Sequence, residues 1–248
     1  MIRGIYTSGL GMTRETKRLD IISNNLANAA TTGFKSDGTV QGTFKKQLED
    51  IMVGKSKIDI ENYTPDIVRS YTNFTQGSLQ NTGNSTDVAI SNDNQAFFTV
   101  EDNEGNQLYT RDGNFTIDKD RFLVTTEGHR VIGEDGYINL ADSTFAIGVD
   151  GNITSENGEI LGKLKITSFE NPETLTKLGD NLLMADTDSI EKLFEGEIQQ
   201  GYLEMSNVNT VNEMVNMIAV SRAYEANQKV LQTQDEMLGR AVSDVGRV

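Results

Sequence analysis

Residues 2–30, IRGIYTSGLGMTRETKRLDIISNNLANAA, decide how the rest of the chain is read. Ile2, Ile5, Gly9, Met12, Thr16, Leu19, Ser23, Leu26 and Ala30 fall on alternating three- and four-residue steps. A sustained seven-residue stripe is the pattern of a helix that winds against another helix. The far end mirrors it: within residues 205–245, Met217, Val220, Tyr224, Leu231, Leu238, Ala241 and Val245 keep the same register. Everything between reads as β-structure and loop. The layout predicts an α+β chain, with long N- and C-terminal coiled-coil helices packed together and a central antiparallel all-β domain. Such a subunit assembles through its ends. The expected assembly interface takes Ile5, Met12, Leu19 and Leu26 from the first helix and Met217, Val220, Tyr224, Leu231 and Leu238 from the second. Asn24, Asn25 and Asn28 are poor helix formers, and their amides are assigned to bridges between neighbouring helices in the same interface.

The chain has 248 residues, 36% hydrophobic and 24% charged, enough for one large or two modest cores. It has no Cys, which excludes disulfides, thiolate metal sites and thiol nucleophiles. The net charge of −15 is uneven. Residues 1–35 carry Arg3, Arg14, Lys17, Arg18 and Lys35 against Glu15 and Asp20, a net of +3, while residues 204–248 hold −2, leaving −16 for the middle. Opposite signs at the two ends favour their pairing, though only by about 0–1 kcal/mol for each exposed pair. An acidic middle argues against nucleic acid or anionic lipid as a partner. No segment reaches the roughly 18 consecutive apolar residues of a membrane span, so no membrane insertion is expected. Thr13, Arg14, Glu15, Lys17 and Arg18 interrupt any signal-peptide core, so a cleavable secretory signal is not expected.

Four stretches follow along the chain: residues 1–35 as the first helix, 36–86 as an extended connector, 87–200 as the β domain and 201–248 as the second helix. The first helix is expected to end near Thr31 to Gly33, with the glycine as its cap. Within the connector a short strand is expected over Asp66 to Tyr71. β runs are predicted at Asp87–Ile90, Ala96–Val100, Gln107–Thr110, Asn114–Ile117, Phe122–Thr125, Phe145–Ile147 and Leu161–Phe169, parted by turn sequences such as Asp112-Gly113 and Asp150-Gly151.

Reagents for chemistry are scarce. His129 is the single histidine and follows Glu127-Gly128 in an expected turn, which favours a surface residue over a catalyst. Without a second histidine or a cysteine there is no Ser-His-Asp or Cys-His machinery. Asp102 with Glu104, and Asp118 with Asp120, lack the spacing of a calcium loop. No Gly-rich segment matches a phosphate or dinucleotide fingerprint. No catalytic residue, metal site or cofactor is therefore expected, and the chain is read as a non-enzyme.

Three motifs then carry a resemblance. Leu19-Asp20-Ile21-Ile22-Ser23-Asn24-Asn25-Leu26-Ala27-Asn28, continuing to Thr32-Gly33-Phe34-Lys35, resembles the N-terminal signature of bacterial flagellar axial proteins of the rod and hook. Gly201-Tyr202-Leu203-Glu204-Met205-Ser206-Asn207-Val208-Asn209 with Glu213-Met214-Val215 is similar to that family near its C-terminus. So is Arg222-Ala223-Tyr224-Glu225-Ala226-Asn227 with Lys229 and Asp235-Glu236-Met237-Leu238. Asp87-Val88-Ala89-Ile90, Phe97-Phe98 and Tyr109-Thr110-Arg111-Asp112-Gly113-Asn114-Phe115 look like its central domain. The resemblance covers the chain except residues 36–80. One departure is Asn92-Asp93-Asn94-Gln95-Ala96, where the family has a Gly-Asp-Gly turn. Asn tolerates a left-handed backbone, so the turn is expected to survive with altered geometry.

The length and the opening Met1-Ile2-Arg3-Gly4-Ile5-Tyr6 look most like a basal-body rod protein, proximal or distal. The resemblance implies an inner layer of terminal helices around an export channel, an outer β domain, and transmission of torque from motor to hook. It implies self-association, partners among other rod and hook proteins, and passage unfolded through the flagellar type III export apparatus to the basal body, outside the cytoplasm. A hook or other axial protein is the nearest alternative. An extracellular β-domain adhesin, or a hydrolase using paired carboxylates, is further off.

Overall fold

The computed structural model describes residues 2–41, 68–102, 104–140, 145–186 and 189–245. Cα packing divides the chain into two compact units. The first comprises Met1–Ala27, Asp37–Tyr71 and Asn209–Val248, and the second Asn28–Ser36 and Thr72–Val208.

In the first unit, α1 runs from Ile2 to Ala27 and α2 from Thr210 to Val245. The start of α2 is written locally. Asn209 Oδ1 accepts the Asn212 N–H at 3.0 Å, satisfying one of the orphan donors of the first turn. Glu213 adds a negative charge where the helix dipole favours it. α1 stops at Ala27, short of the expected Thr31 to Gly33, because the Asn28 carbonyl accepts the Thr31 N–H at 3.2 Å in a turn. Asn25 closes that end: its Nδ2 donates to the Asp37 carbonyl at 2.8 Å and its Oδ1 accepts the Asp37 N–H at 2.9 Å. Asp37–Gln41 and Val68–Thr72 form a two-stranded ribbon. The latter covers the described part of the strand expected at Asp66–Tyr71, whose first two residues lie outside the described region.

The expected α+β class, with long coiled-coil helices packed together at its ends, is corrected. Among the described residues two α-helices stand against nineteen strands, and the fold is mostly β. The stripe also fails as a coiled-coil seam. A seam buries apolar knobs, whereas the buried positions of α1 are Ser8, Glu15, Ile22 and Asn25. Thr16 and Ser23, on the expected stripe, are exposed, so the buried face is turned by one residue. On α2 only Val220 is buried among the described side chains. The heptad spacing is present in the sequence, but polar residues occupy the positions that a self-sufficient coiled coil would fill with Leu or Ile.

The second unit is antiparallel β-structure built on the strand Ala96–Glu101. Its Ala-Phe-Phe-Thr-Val run is buried on both faces, the pattern of a strand covered on both sides. Along one edge Phe98 pairs with Thr110 and Val100 with Leu108. The other edge forks. Ala96–Phe98 face Ile166–Ser168, and Val100–Glu101 face Arg130–Val131. Side-chain alternation sends Phe98 and Val100 into a cluster with Phe115, Leu123, Ile153 and Ile198, and sends Phe97 into another with Phe74, Tyr109 and Phe169. Edge-to-face rings knit both: Phe98–Phe115 at 5.2 Å, Tyr109–Phe169 at 4.9 Å and Phe74–Phe97 at 5.7 Å. The run expected at Leu161–Phe169 is two strands. Ile160–Lys163 pairs with Asn152–Ser155, Leu164 bridges to Gly133, and Ile166–Phe169 joins the central strand. In the turn that departs from the family, Asn92 adopts φ 66°, the left-handed conformation its amide side chain tolerates.

Candidate assembly interface

The residues expected to join subunits have varied placements. Ile5, Met12, Leu19 and Leu26 on α1 are half-buried, as are Met217, Tyr224, Leu231 and Leu238 on α2, while Val220 is fully buried. Asn24 is exposed and Asn28 half-buried. Asn25 is 1% exposed and its amide is spent on the Asp37 backbone inside the subunit. α1 and α2 meet closely where Gly11 faces Asn227; a Cβ on Gly11 would lie 3.0 Å from the Asn227 amide.

Opposite Val220, α2 carries Val211, Met214, Val215 and Ile218, which are 51–68% exposed. Their spacing of three, four and seven residues puts them on one helical face. The stripe lies on the side of the helix away from Val220 and stays in contact with water in the single subunit. It follows a different register from the stripe of Met217, Val220 and Tyr224.

The remaining motif residues converge inside the second unit. Glu204, 1% exposed, takes three donors on its carboxylate: Lys35 Nζ at 2.5 Å, the Gly77 N–H at 2.9 Å, and Arg111 Nη1 at 3.3 Å. Its own carbonyl accepts the Gly33 N–H at 2.7 Å. Lys35 also donates to the Thr75 carbonyl at 2.9 Å, and Arg111 Nη2 donates to the Asp93 carbonyl. The Arg111 guanidinium lies 5.5 Å over the Phe97 ring. Asn207 stitches the neighbouring segments: its Oδ1 accepts the Ser36 N–H at 2.8 Å, and its Nδ2 donates to the carbonyls of Asn73 and Thr75 at 2.8 and 3.0 Å. These residues lie in motifs quoted above, yet sequence spacing gave no sign that they meet. An unusual charge inside an apolar context, as in Thr-Gly-Phe-Lys, was the available signal.

Burial sets the electrostatics of this knot. Desolvation pulls Lys35 down to about 8, against the opposing pull of Glu204. Desolvation likewise lowers the Arg111 guanidinium, opposed by Glu204 and Asp93, and raises the Asp112 carboxyl, opposed by its Thr32 bond. The free lysine value is 10.5, so between about 8 and 10.5 the unfolded chain holds more protons at this site than the folded one. Lys35 therefore penalises the fold below pH 8, and the penalty is relieved as pH rises through that window. Its contribution to unfolding free energy is expected to rise by ~2 kcal/mol between pH 7 and 9.5. Urea titrations of the protein and of Lys35→Met, compared at the two pH values, isolate it; identical pH dependences would refute it.

Among the described residues no three His, Asp or Glu side chains stand close enough to hold a metal ion. His129 follows a turn, and its N–H donates to Thr125 Oγ1 at 3.2 Å. No described helix is long and apolar enough to cross a membrane.

The two terminal segments and the β unit each match a protein-family model. Residues 5–35 match flagella basal body rod protein, 89–155 the flagellar hook protein FlgE/F/G D1 domain, and 199–244 the flagellar basal body rod FlgEFG protein C-terminal. Whole-chain relatives agree. The chain is 35% identical to flagellar basal-body rod protein FlgG of Borreliella burgdorferi, over 97% of its own length and 98% of the relative's.

The chain belongs to the flagellar basal-body rod protein family.

Other relatives also match over nearly their whole length. Flagellar basal-body rod protein FlgF of Caulobacter vibrioides is 33% identical over 96% of this chain and 97% of its own. Flagellar hook-basal body complex protein FlhO of Bacillus subtilis is 27% identical over all of both. The N-terminal rod match covers α1 from Ile5 onward and the Gly33–Lys35 contacts, and the C-terminal match covers Glu204, Asn207 and α2 as far as Asp244. The rod-family motifs thus serve two tasks, helix formation and the buried knot.

Proposed function

We infer that this protein is a structural subunit of the flagellar basal-body rod, located in the flagellar basal body, and that copies join through their terminal helices. The observation that carries the joining is the α2 stripe of Val211, Met214, Val215 and Ile218, left uncovered in the single subunit. A second copy is the occupant that fits, because both matched terminal segments belong to a rod family and a shaft needs every subunit to offer the same face. Burying what remains exposed of four such side chains gives roughly 1–2 kcal/mol apiece before the cost of association. Other rod and hook proteins are the further partners of this reading, and the flagellar type III export apparatus is its route out of the cell. The role is mechanical, and no step of it calls for a catalytic group or cofactor.

The test is Val215→Asp combined with Ile218→Asp. Both positions are exposed, so the subunit is expected to fold with an unchanged melt, while a desolvated charge at each contact blocks assembly. Cells carrying the variant should make normal protein levels, show no completed hook-basal bodies by electron microscopy, and not swim. His129→Ala should swim normally. Normal swimming of the double variant would overturn the placement of the interface on this face.

A further inference from the structure

Residues 28–36 leave the first unit after Ala27, pack wholly within the second, and return at Asp37. Asn25 holds the two ends of this excursion together through its paired bonds to Asp37. The excursion is held down by polar contacts. Thr32 Oγ1 donates to Asp112 Oδ1 at 2.7 Å, and Asn181 Nδ2 donates to the Thr32 carbonyl at 2.8 Å. Gly33 donates to Glu204, Lys35 bonds Glu204 and Thr75, and Lys177 Nζ donates to the Lys35 carbonyl at 2.7 Å. Ser36 donates to Asn207 and accepts the Asn73 N–H at 2.8 Å. Phe34 is its one large buried apolar side chain, and it lies outside both hydrophobic clusters, beside the Lys177 ammonium at 4.8 Å.

We propose that residues 28–36 form a strap that opens and closes on the β unit as one cooperative piece, without unfolding either hydrophobic cluster. Exchange of protein hydrogen bonds for water bonds returns most of their energy, and when Lys35 leaves, Glu204 keeps Arg111 and the Gly77 N–H as partners, so no buried charge is stranded. Phe34 is the one large apolar side chain the strap itself carries out of the fold, whereas the strand Ala96–Glu101 is released only when both clusters come apart. A segment with specific but weakly net-stabilising contacts is the low-stability end of a fold. The lowered lysine of the strap agrees, since an open strap returns that ammonium to water.

Amide hydrogen exchange on the full chain tests this. Gly33, Ser36 and Asn73 should exchange through one common opening at least 100-fold more frequent than that of Thr99 and Phe169, whose N–H groups bond across the central sheet to Lys165 and Gln95. Thr32→Val, which removes the bond to Asp112, should raise strap exchange about tenfold and leave Thr99 and Phe169 within twofold. Asn181→Gly removes the other Thr32 bond at a position with φ 57°, where glycine is unstrained, and should do the same. If strap and core amides exchange at one rate, or if both variants speed the core as much as the strap, the strap is an inseparable part of the β unit and the proposal is wrong.

Discussion

Glu204→Ala is expected to lower the unfolding free energy of the β unit by about 3–5 kcal/mol, the cost of breaking a buried ion pair from one side. The carboxylate neutralises two cations that are 1–4% exposed, and it satisfies the buried Gly77 N–H. With it gone, Arg111 stays buried against the Asp93 carbonyl and the Phe97 ring with no counter-charge bonded to it. Lys35 has an exit through the strap, so the two halves of the knot should not be equivalent. Lys35→Met removes a costly charge and puts an apolar chain of similar length in its place, and should change stability by less than about 1.5 kcal/mol. Urea unfolding with an unchanged m-value measures both. A Glu204→Ala loss below 1 kcal/mol, or equal losses in the two variants, would show that the knot does not bear on stability as drawn.

Gly113→Ala should be more damaging still. A Cβ at this position would sit 1.6 Å from the Val88 carbonyl oxygen, and its nearest obstacle is backbone held in register. The Val88 N–H donates to the Gly113 carbonyl at 3.0 Å, and Val88 is itself fully buried, so neither partner can retreat. Gly77 is in the same position against the Met205 carbonyl at 1.8 Å. Either substitution must shift backbone, and the expected loss exceeds about 4 kcal/mol, the range reserved for broken cores. Soluble yield and thermal melting read this directly. Gly105→Ala and Gly128→Ala serve as comparisons: each has a positive φ but open space around it, so only local strain of about 1–2 kcal/mol applies. A Gly113→Ala protein that melts with the Gly128→Ala protein would contradict the packing described here.

The amino-acid order alone settled those features whose cause lies within a few residues. Ala96-Phe97-Phe98-Thr99-Val100 is a strand because continuous β-forming apolar residues suit a strand buried on both faces. Asn92 turns left-handed because an asparagine stands there. The family, too, was legible, because its motifs are contiguous strings. Tertiary structure decided the rest. Leu161–Phe169 looks like one run and is split, since Leu164 leaves to bridge Gly133. The strands Thr176–Gly179 and Glu197–Gln200 carry too few apolar residues to announce themselves, and Tyr202–Glu204 is only three residues long. The helical stripe was visible, but which face of α1 is buried depends on the neighbour it meets, and Glu15 and Asn25 went inside where Thr16 and Ser23 stayed out. Lys35 and Glu204 stand 169 positions apart. Local pattern reports which side chains shun water; it cannot report which buried charge will find its partner, because that pairing exists only after the chain has closed a long loop and excluded the water between its ends.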